Sequence, residues 1–214
     1  MTFTINGKQC SNLKVIVLAP HADDAELGCG GTIARMIEAG ADVAIVAFST
    51  PAGAPRAVLE SEAHVSRQVM KIKEENLHIW SYEVRTLAAH RQEILERLFQ
   101  LNQQHKPDLV MLPSLKDLHQ DHNTVAMEGL RAFKMCSILG YELPWNHMSF
   151  HTSAFVPLED HHVENKIRSS MSYISQMGRQ FFDEEFLRSL ARTRGCQIGK
   201  KYAEAFEVIR WIIE

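Results

Sequence analysis

Two short runs of the chain concentrate side chains able to hold a metal ion and move protons. The first is Pro20-His21-Ala22-Asp23-Asp24-Ala25-Glu26-Leu27-Gly28, and the second is Asp117-Leu118-His119-Gln120-Asp121-His122. Imidazole and carboxylate ligands around an open position describe catalytic zinc, which takes three protein ligands and leaves the fourth site to water or substrate. His21 and Asp24, separated by a tight turn, can point at one ion. The third ligand must come from the second run, where His119 and His122 are the candidates. Asp23, beside the metal, suits the proton acceptor that an attacking water needs. A spare imidazole can donate to the oxyanion of a tetrahedral intermediate.

Those residues need elements that bring them together. Leu13–Ala19 is a continuous apolar, β-branched run, as expected for a strand buried on both faces of a parallel sheet. A helix carrying Ile33, Met36 and Ile37 follows and stops at Gly40. Asp42–Phe48 reads as a second buried strand, Ser49–Pro55 as a loop, and Ala57–Lys73 as a helix with Val58, Val65, Val69 and Ile72 available for a buried stripe. A weaker strand covers Leu77–Tyr82, a helix Glu93–Gln104, a fourth strand Pro107–Pro113, and a helix runs from about Asn123 to Ser137. Further on, Ser149–Val156 reads as a strand, Glu159–Ile174 and Phe181–Arg194 as helices, and Ala203–Ile213 as a strand. This alternation predicts an α/β fold: a single Rossmann-like domain over 1–214 with a mostly parallel sheet and helices on both faces. Ligands of such sheets bind beyond the carboxyl ends of the strands where strand order reverses. With the common order 3-2-1-4, the first and fourth buried strands are neighbours there, and both polar runs face one crevice. One His-x-x-Asp is commonly a turn or cap; two clusters at adjacent strand ends are much harder to explain that way.

Other features exclude more than they assign. Gly28-Cys29-Gly30-Gly31-Thr32 is neither G-x-G-x-x-G nor a Walker loop, and its glycines are better read as letting the helix start close beneath the metal turn. The 4 cysteines, Cys10, Cys29, Cys136 and Cys196, form no C-x-x-C pair, which argues against a disulfide framework or thiolate zinc site and for a reduced, cytoplasmic setting. A net charge of −3 argues against nucleic-acid binding. No apolar run approaches the roughly 18 residues needed to span a bilayer, and the N-terminus lacks a signal-peptide layout.

Taken together, the two runs resemble the LmbE-like, or PIG-L, family of zinc-dependent de-N-acetylases. That family carries A-H-P-D-D-E-x-x-G-x-G-G after its first strand and H-x-D-H after a later one. They read here as Pro20 to Gly31 and His119-Gln120-Asp121-His122. The segment Gly195 to Gly199, followed by Tyr202 to Glu207, is also similar to members acting on sugars. The resemblance implies His21, Asp24 and His122 as zinc ligands, Asp23 as general base, His119 as oxyanion stabiliser, and Asp121 as the residue that tunes and orients His119. Ala22 stands where the family has proline, and Ala25 where many members are acidic, with Glu26 shifted by one.

The expected function is zinc-dependent removal of an N-acetyl group from an amino-sugar derivative, with a nucleotide, a lipid or a thiol as the candidate conjugates. Arg56 and Arg85 are candidates for gripping an anionic group, and Tyr141 to Asn146 offers aromatic surface for a sugar. A homo-oligomer is a further expectation, since such crevices are often completed by a neighbouring subunit. Two alternatives stand beside this one: a metal-dependent hydratase or thiol-conjugate amidase on the same fold, and a non-catalytic phosphate- or nucleotide-binding module using the glycine turn.

Overall fold

The computed structural model describes residues 4–5, 8–49 and 55–213; most of the loop expected at Ser49–Pro55 lies outside them. β1 (Thr4–Ile5) and β2 (Lys8–Gln9) form a small antiparallel pair of their own. The main sheet comprises β3 (Lys14–His21), β4 (Asp42–Ser49), β5 (Leu77–Tyr82), β6 (Leu109–Pro113), β7 (Ser137–Tyr141), β8 (Ala154–Leu158) and β9 (Tyr202–Arg210). Its order is β5-β4-β3-β6-β7-β9-β8. The first five strands of that order pair in parallel, whereas β9 runs antiparallel to both β7 and β8. The four strands expected from the sequence therefore take the 3-2-1-4 order, with the reversal between β3 and β6.

The helices are α1 (Asp24–Glu38), α2 (Arg56–Met70), α3 (Arg91–His105), α4 (Gln120–Ala132), α5 (Asp160–Ser170) and α6 (Glu184–Gln197). Alternation along β3 shows how they cover the sheet. Val15, Val17 and Ala19 join the core beneath α1, α2, α5 and α6, while Ile16 and Leu18 join Ile94, Leu98, Val125 and Ala126 of α3 and α4. A strand packed on both faces has no polar side to show, which is why its sequence is continuously apolar. Among the described residues no helix is long and apolar enough to cross a membrane.

Two elements differ from the sequence reading. The helix expected to reach Ser137 ends at Ala132, and Ser137–Tyr141 becomes β7, central and fully buried. A five-residue apolar run carries too little periodicity to separate strand from helix. On α2, Val58 and Val65 are exposed, and the helix turns Leu59, Glu62, Ala63, Ser66 and Met70 inward instead. Ser66 donates to Glu26 Oε1 at 2.5 Å, and Glu62 accepts from the Ser175 amide at 2.8 Å and hydroxyl at 2.6 Å. Polar partners supplied by distant segments thus rotated the helix away from its valine stripe.

Candidate metal centre and active site

Both polar runs sit where a strand hands over to a helix. His21 is the last residue of β3 and Asp24 the first of α1. His119 is the N-cap of α4, its ring accepting the Asp121 amide, and Asp121 and His122 lie in the first turn. Because β3 and β6 are hydrogen-bonded neighbours, the two helix starts converge on one crevice.

There, three donor atoms close into a triangle. His21 Nδ1 lies 3.1 Å from Asp24 Oδ2 and 3.2 Å from His122 Nε2, and His122 Nε2 lies 3.2 Å from Asp24 Oδ2. The outward nitrogens are occupied: His21 Nε2 faces Asp121 Oδ2 at 3.2 Å, and His122 Nδ1 faces Asp117 Oδ2 at 2.8 Å. A carboxylate accepts, so each neutral ring keeps its proton on the outward nitrogen and turns a bare lone pair inward. Two lone pairs and a carboxylate oxygen facing one point repel one another unless a cation lies between them, and this donor set suits zinc. Without a cation the triangle draws protons to the inward nitrogens instead, which an arriving metal would displace. Burial alone would push both imidazoles down, but Asp24, aided by Asp121 for His21 and by Asp117 for His122, lifts His21 to about 9 and His122 to about 10. Asp24 itself resists burial and is held far below the usual carboxylate range by His122 and His21.

Around the triangle lies a cavity of about 280 Å³ lined by His21, Asp23, Asp24, His119, His122 and a group of loop residues described below. The His21, His119 and His122 rings each offer a nitrogen within 4.8 Å of the others. His119 nevertheless differs from the other two: its Nδ1 accepts a backbone N–H at 3.1 Å, which leaves Nε2 as a hydrogen-bearing donor in the neutral ring. Burial and the neighbouring imidazoles His122 and His21 lower its pKa, favouring that neutral form. Asp23 lines the same cavity; burial and the Asp24 charge raise its carboxyl to about 6, against the pull of His21 and Arg179.

The placement of other expected residues is uneven. Asp121, expected to orient His119, does so through its backbone amide, which donates to His119 Nδ1 at 3.1 Å, while its carboxylate is directed at His21 and accepts the amides of Arg85 at 2.6 Å and Leu87 at 3.3 Å. Arg85 lines the cavity, whereas Arg56 is half-exposed on α2, paired with Glu60 at 2.5 Å, and is no part of the lining. Tyr141 is buried rather than a surface for sugar, its hydroxyl donating to the Leu18 carbonyl at 2.9 Å. Trp145 does line the cavity, stacked on Phe181 at 4.1 Å with rings 7° from parallel. The residues sequence reasoning missed are Asp117 as the partner of His122, together with Val84, Arg179 and Phe181 in the wall. Asp117 had a signal, since it opens the second polar run; the others lie in irregular loops.

The glycine run has a structural role. α1 breaks at Cys29 (φ −145°, ψ 23°), and the amides of Gly31 and Thr32 beyond the break donate to the Glu204 carboxylate at 3.0 and 2.6 Å. Lys166 in turn donates to Glu204 at 2.6 Å. The anion slot at this helix start is thus filled by the protein's own carboxylate, which removes the structural basis for a phosphate-binding module. A Cβ on Gly28 would stand 2.3 Å from the Tyr141 ring, so glycine is required for β7 to approach. Cys29 is buried, with burial raising its thiol well above the usual value, as befits packing rather than reactivity.

Another His/Glu group, Glu38, His161 and His162, lies between α1 and α5. His162 Nδ1 accepts the Glu159 amide at 3.0 Å, so its Nε2 carries the proton that it donates to Glu38 at 2.5 Å. A nitrogen bearing a proton is no ligand, and the group serves as a helix cap and packing contact.

Residues 16–133, which span both polar runs, match the PIG-L family, described as GlcNAc-PI de-N-acetylase. Among curated relatives, an uncharacterized deacetylase of Escherichia coli is 26% identical, covering 72% of this chain and 86% of its own. A diacetylchitobiose deacetylase of Thermococcus kodakarensis is 23% identical over 98% of this chain and 88% of its own. Among solved structures, the conserved protein TT1542 of Thermus thermophilus superposes with a TM-score of 0.78 at 21% identity, covering 95% of this chain and 97% of its own. The hydratase GalB of Pseudomonas putida, which acts on 4-carboxy-2-hydroxymuconate, gives 0.75 at 16% identity, covering 95% and 98%. The fold is shared across these proteins, and on the strength of the match over both polar runs the chain belongs to the PIG-L, GlcNAc-PI de-N-acetylase, family.

Proposed function

We propose that this chain is a zinc-dependent hydrolase that removes an acetyl group from the nitrogen of an amino-sugar derivative. The observation that carries the reading is the triangle of His21 Nδ1, Asp24 Oδ2 and His122 Nε2, with both rings oriented from behind by carboxylates. In this reading those three residues hold zinc, Asp117 and Asp121 keep the rings turned inward, and substrate enters the open side. Bound zinc supplies Lewis acidity to water and to the amide carbonyl. Asp23, with its carboxyl raised to about 6, takes a proton from the attacking water near neutral pH and returns one to the departing amine. His119 directs its Nε2–H at the carbonyl oxygen as that oxygen gains charge. Acetate and a free amine are the products.

Family membership and the names of the deacetylase relatives support the N-acetyl specificity. The likeness to GalB favours one second reading, hydration of a small unsaturated acid at the same centre. Elemental analysis of protein purified without chelator, followed by an acetate-release assay on N-acetylhexosamine derivatives, tests both. Zinc near one atom per chain, lost in His122→Ala, is expected, together with acetate release. Asp23→Asn should keep the metal and lose about 10²-fold or more of the rate. Stoichiometric metal with no acetate from any derivative, but hydration of an unsaturated acid, would transfer the proposal to the hydratase.

A further inference from the structure

Tyr173 is 1% exposed, and its hydroxyl ends beneath the turn that carries His21 and Asp24. It donates to the Ala22 carbonyl at 2.5 Å, and its oxygen lies 3.1 Å from Glu26 Oε1, which accepts from Ser66 at 2.5 Å. Tyr173 stands 151 residues from Ala22 in the chain, between α5 and the helical turn Ile174–Gln176, so packing alone makes the contact. The Ala22 carbonyl and the Asp23 amide belong to one rigid peptide plane. A bond to that oxygen fixes the rotation of the plane, and with it φ of Asp23. Asp23 is the N-cap of α1, where an aspartate ordinarily takes an extended backbone and bonds its carboxylate to an amide of the first turn. It does neither. Its φ of −97° and ψ of −11° are helical, its side chain makes no capping bond, and its carboxylate lines the cavity.

We propose that Tyr173 is a positioning residue for Asp23: by holding the Ala22–Asp23 peptide it keeps the aspartate out of the capping conformation and its carboxylate in the cavity. The competing geometry is near, because the amides of Ala25 and Glu26 occupy the second and third helical positions, where an N-cap carboxylate bonds. Without the tether the turn relaxes into that arrangement and the general base is spent on the helix end. The inference rests on the hydrolase reading for what Asp23 does, but not for where its carboxylate lies.

Tyr173→Phe keeps the ring in the core and removes only the donor. Ser66→Ala removes a bond from the same buried cluster without touching Ala22, and so reports what a merely structural loss does. Acetate release is measured on zinc-loaded protein with N,N′-diacetylchitobiose. For Tyr173→Phe, kcat should fall about tenfold, the equivalent of one capping bond, with KM and zinc content close to wild type. Ser66→Ala should lower the urea midpoint and leave kcat near wild type. In an Asp23→Asn background, Tyr173→Phe should lower kcat no further, because it acts through the aspartate. A crystal structure of Tyr173→Phe should show the Asp23 carboxylate bonded to the Ala25 or Glu26 amide. Equal losses of kcat in the two single variants, or a full further loss in the Asp23→Asn background, overturn the positioning role and leave the hydrolase reading intact. If wild type releases acetate from no N-acetylhexosamine derivative, the hydrolase reading fails and the variant's crystal structure decides. A carboxylate turned onto the helix supports the tether, and one that has not moved overturns it in either case.

Discussion

At the scale of single residues, the site is governed by what stands behind each inward-facing donor atom. His21 and His122 are each backed by a carboxylate, so the tautomer with a bare inward nitrogen is the one favoured once an ion displaces the inward protons. Asp117→Asn should therefore lower zinc affinity about 10- to 100-fold while leaving the fold in place, measured by competition with a chromophoric chelator. An unchanged affinity would mean that His122 needs no partner. Sequence reasoning placed His21, Asp23, Asp24, His119 and His122 correctly around one cavity because their types and spacing are unusual outside metal sites. It did not assign Asp121 to His21, since which imidazole a carboxylate reaches depends on the path of a loop, and spacing along the chain says nothing of that.

At the scale of elements, the ligand-bearing turn depends on the broken helix α1. Glu204, from β9, accepts the two amides beyond the break, and Tyr141, from β7, packs on Gly28 just before it. Gly28→Ala would force a methyl group into the Tyr141 ring and should destabilise the protein by about 1–3 kcal/mol, read as a lowered urea midpoint at unchanged m-value. The same variant should hold zinc less tightly, because the displaced turn carries Asp24. A variant with wild-type midpoint would show that β7 can retreat without cost. Strand positions for β3 to β6 were legible because buried parallel strands are continuously apolar. β7 was not, being short, and α2 was misoriented because Glu62 and Ser66 find buried partners that hydrophobic pattern cannot register.

At the scale of the whole molecule, the bound ion should tie the two halves of the sheet together. The proposed ligands come from the end of β3 and the start of α1 and from α4, after β6, so metal that binds only the folded chain would add to global stability. At about a hundred times its dissociation constant, zinc would contribute about 2.7 kcal/mol, lost on chelation. For a domain of this size that is a fall in Tm of roughly 5–10 °C. Calorimetry with and without chelator should show that fall in wild type and little of it in His122→Ala. An equal effect on both proteins would place the stabilising metal elsewhere.

The sequence by itself determined the class of fold, the crevice at the strand reversal and the His and Asp side chains that line it. Each of these depends on local pattern: apolar runs, turn residues and the close spacing of His and Asp. Only the tertiary structure decided the rest. It showed that the glycine turn is filled by Glu204, that Arg56 stands away from the cavity while Arg179 joins it, and that Tyr141 is core. Those outcomes depend on contacts between segments far apart in the chain. Their geometry is set by how helices and strands pack on one another, and no short stretch of sequence records it.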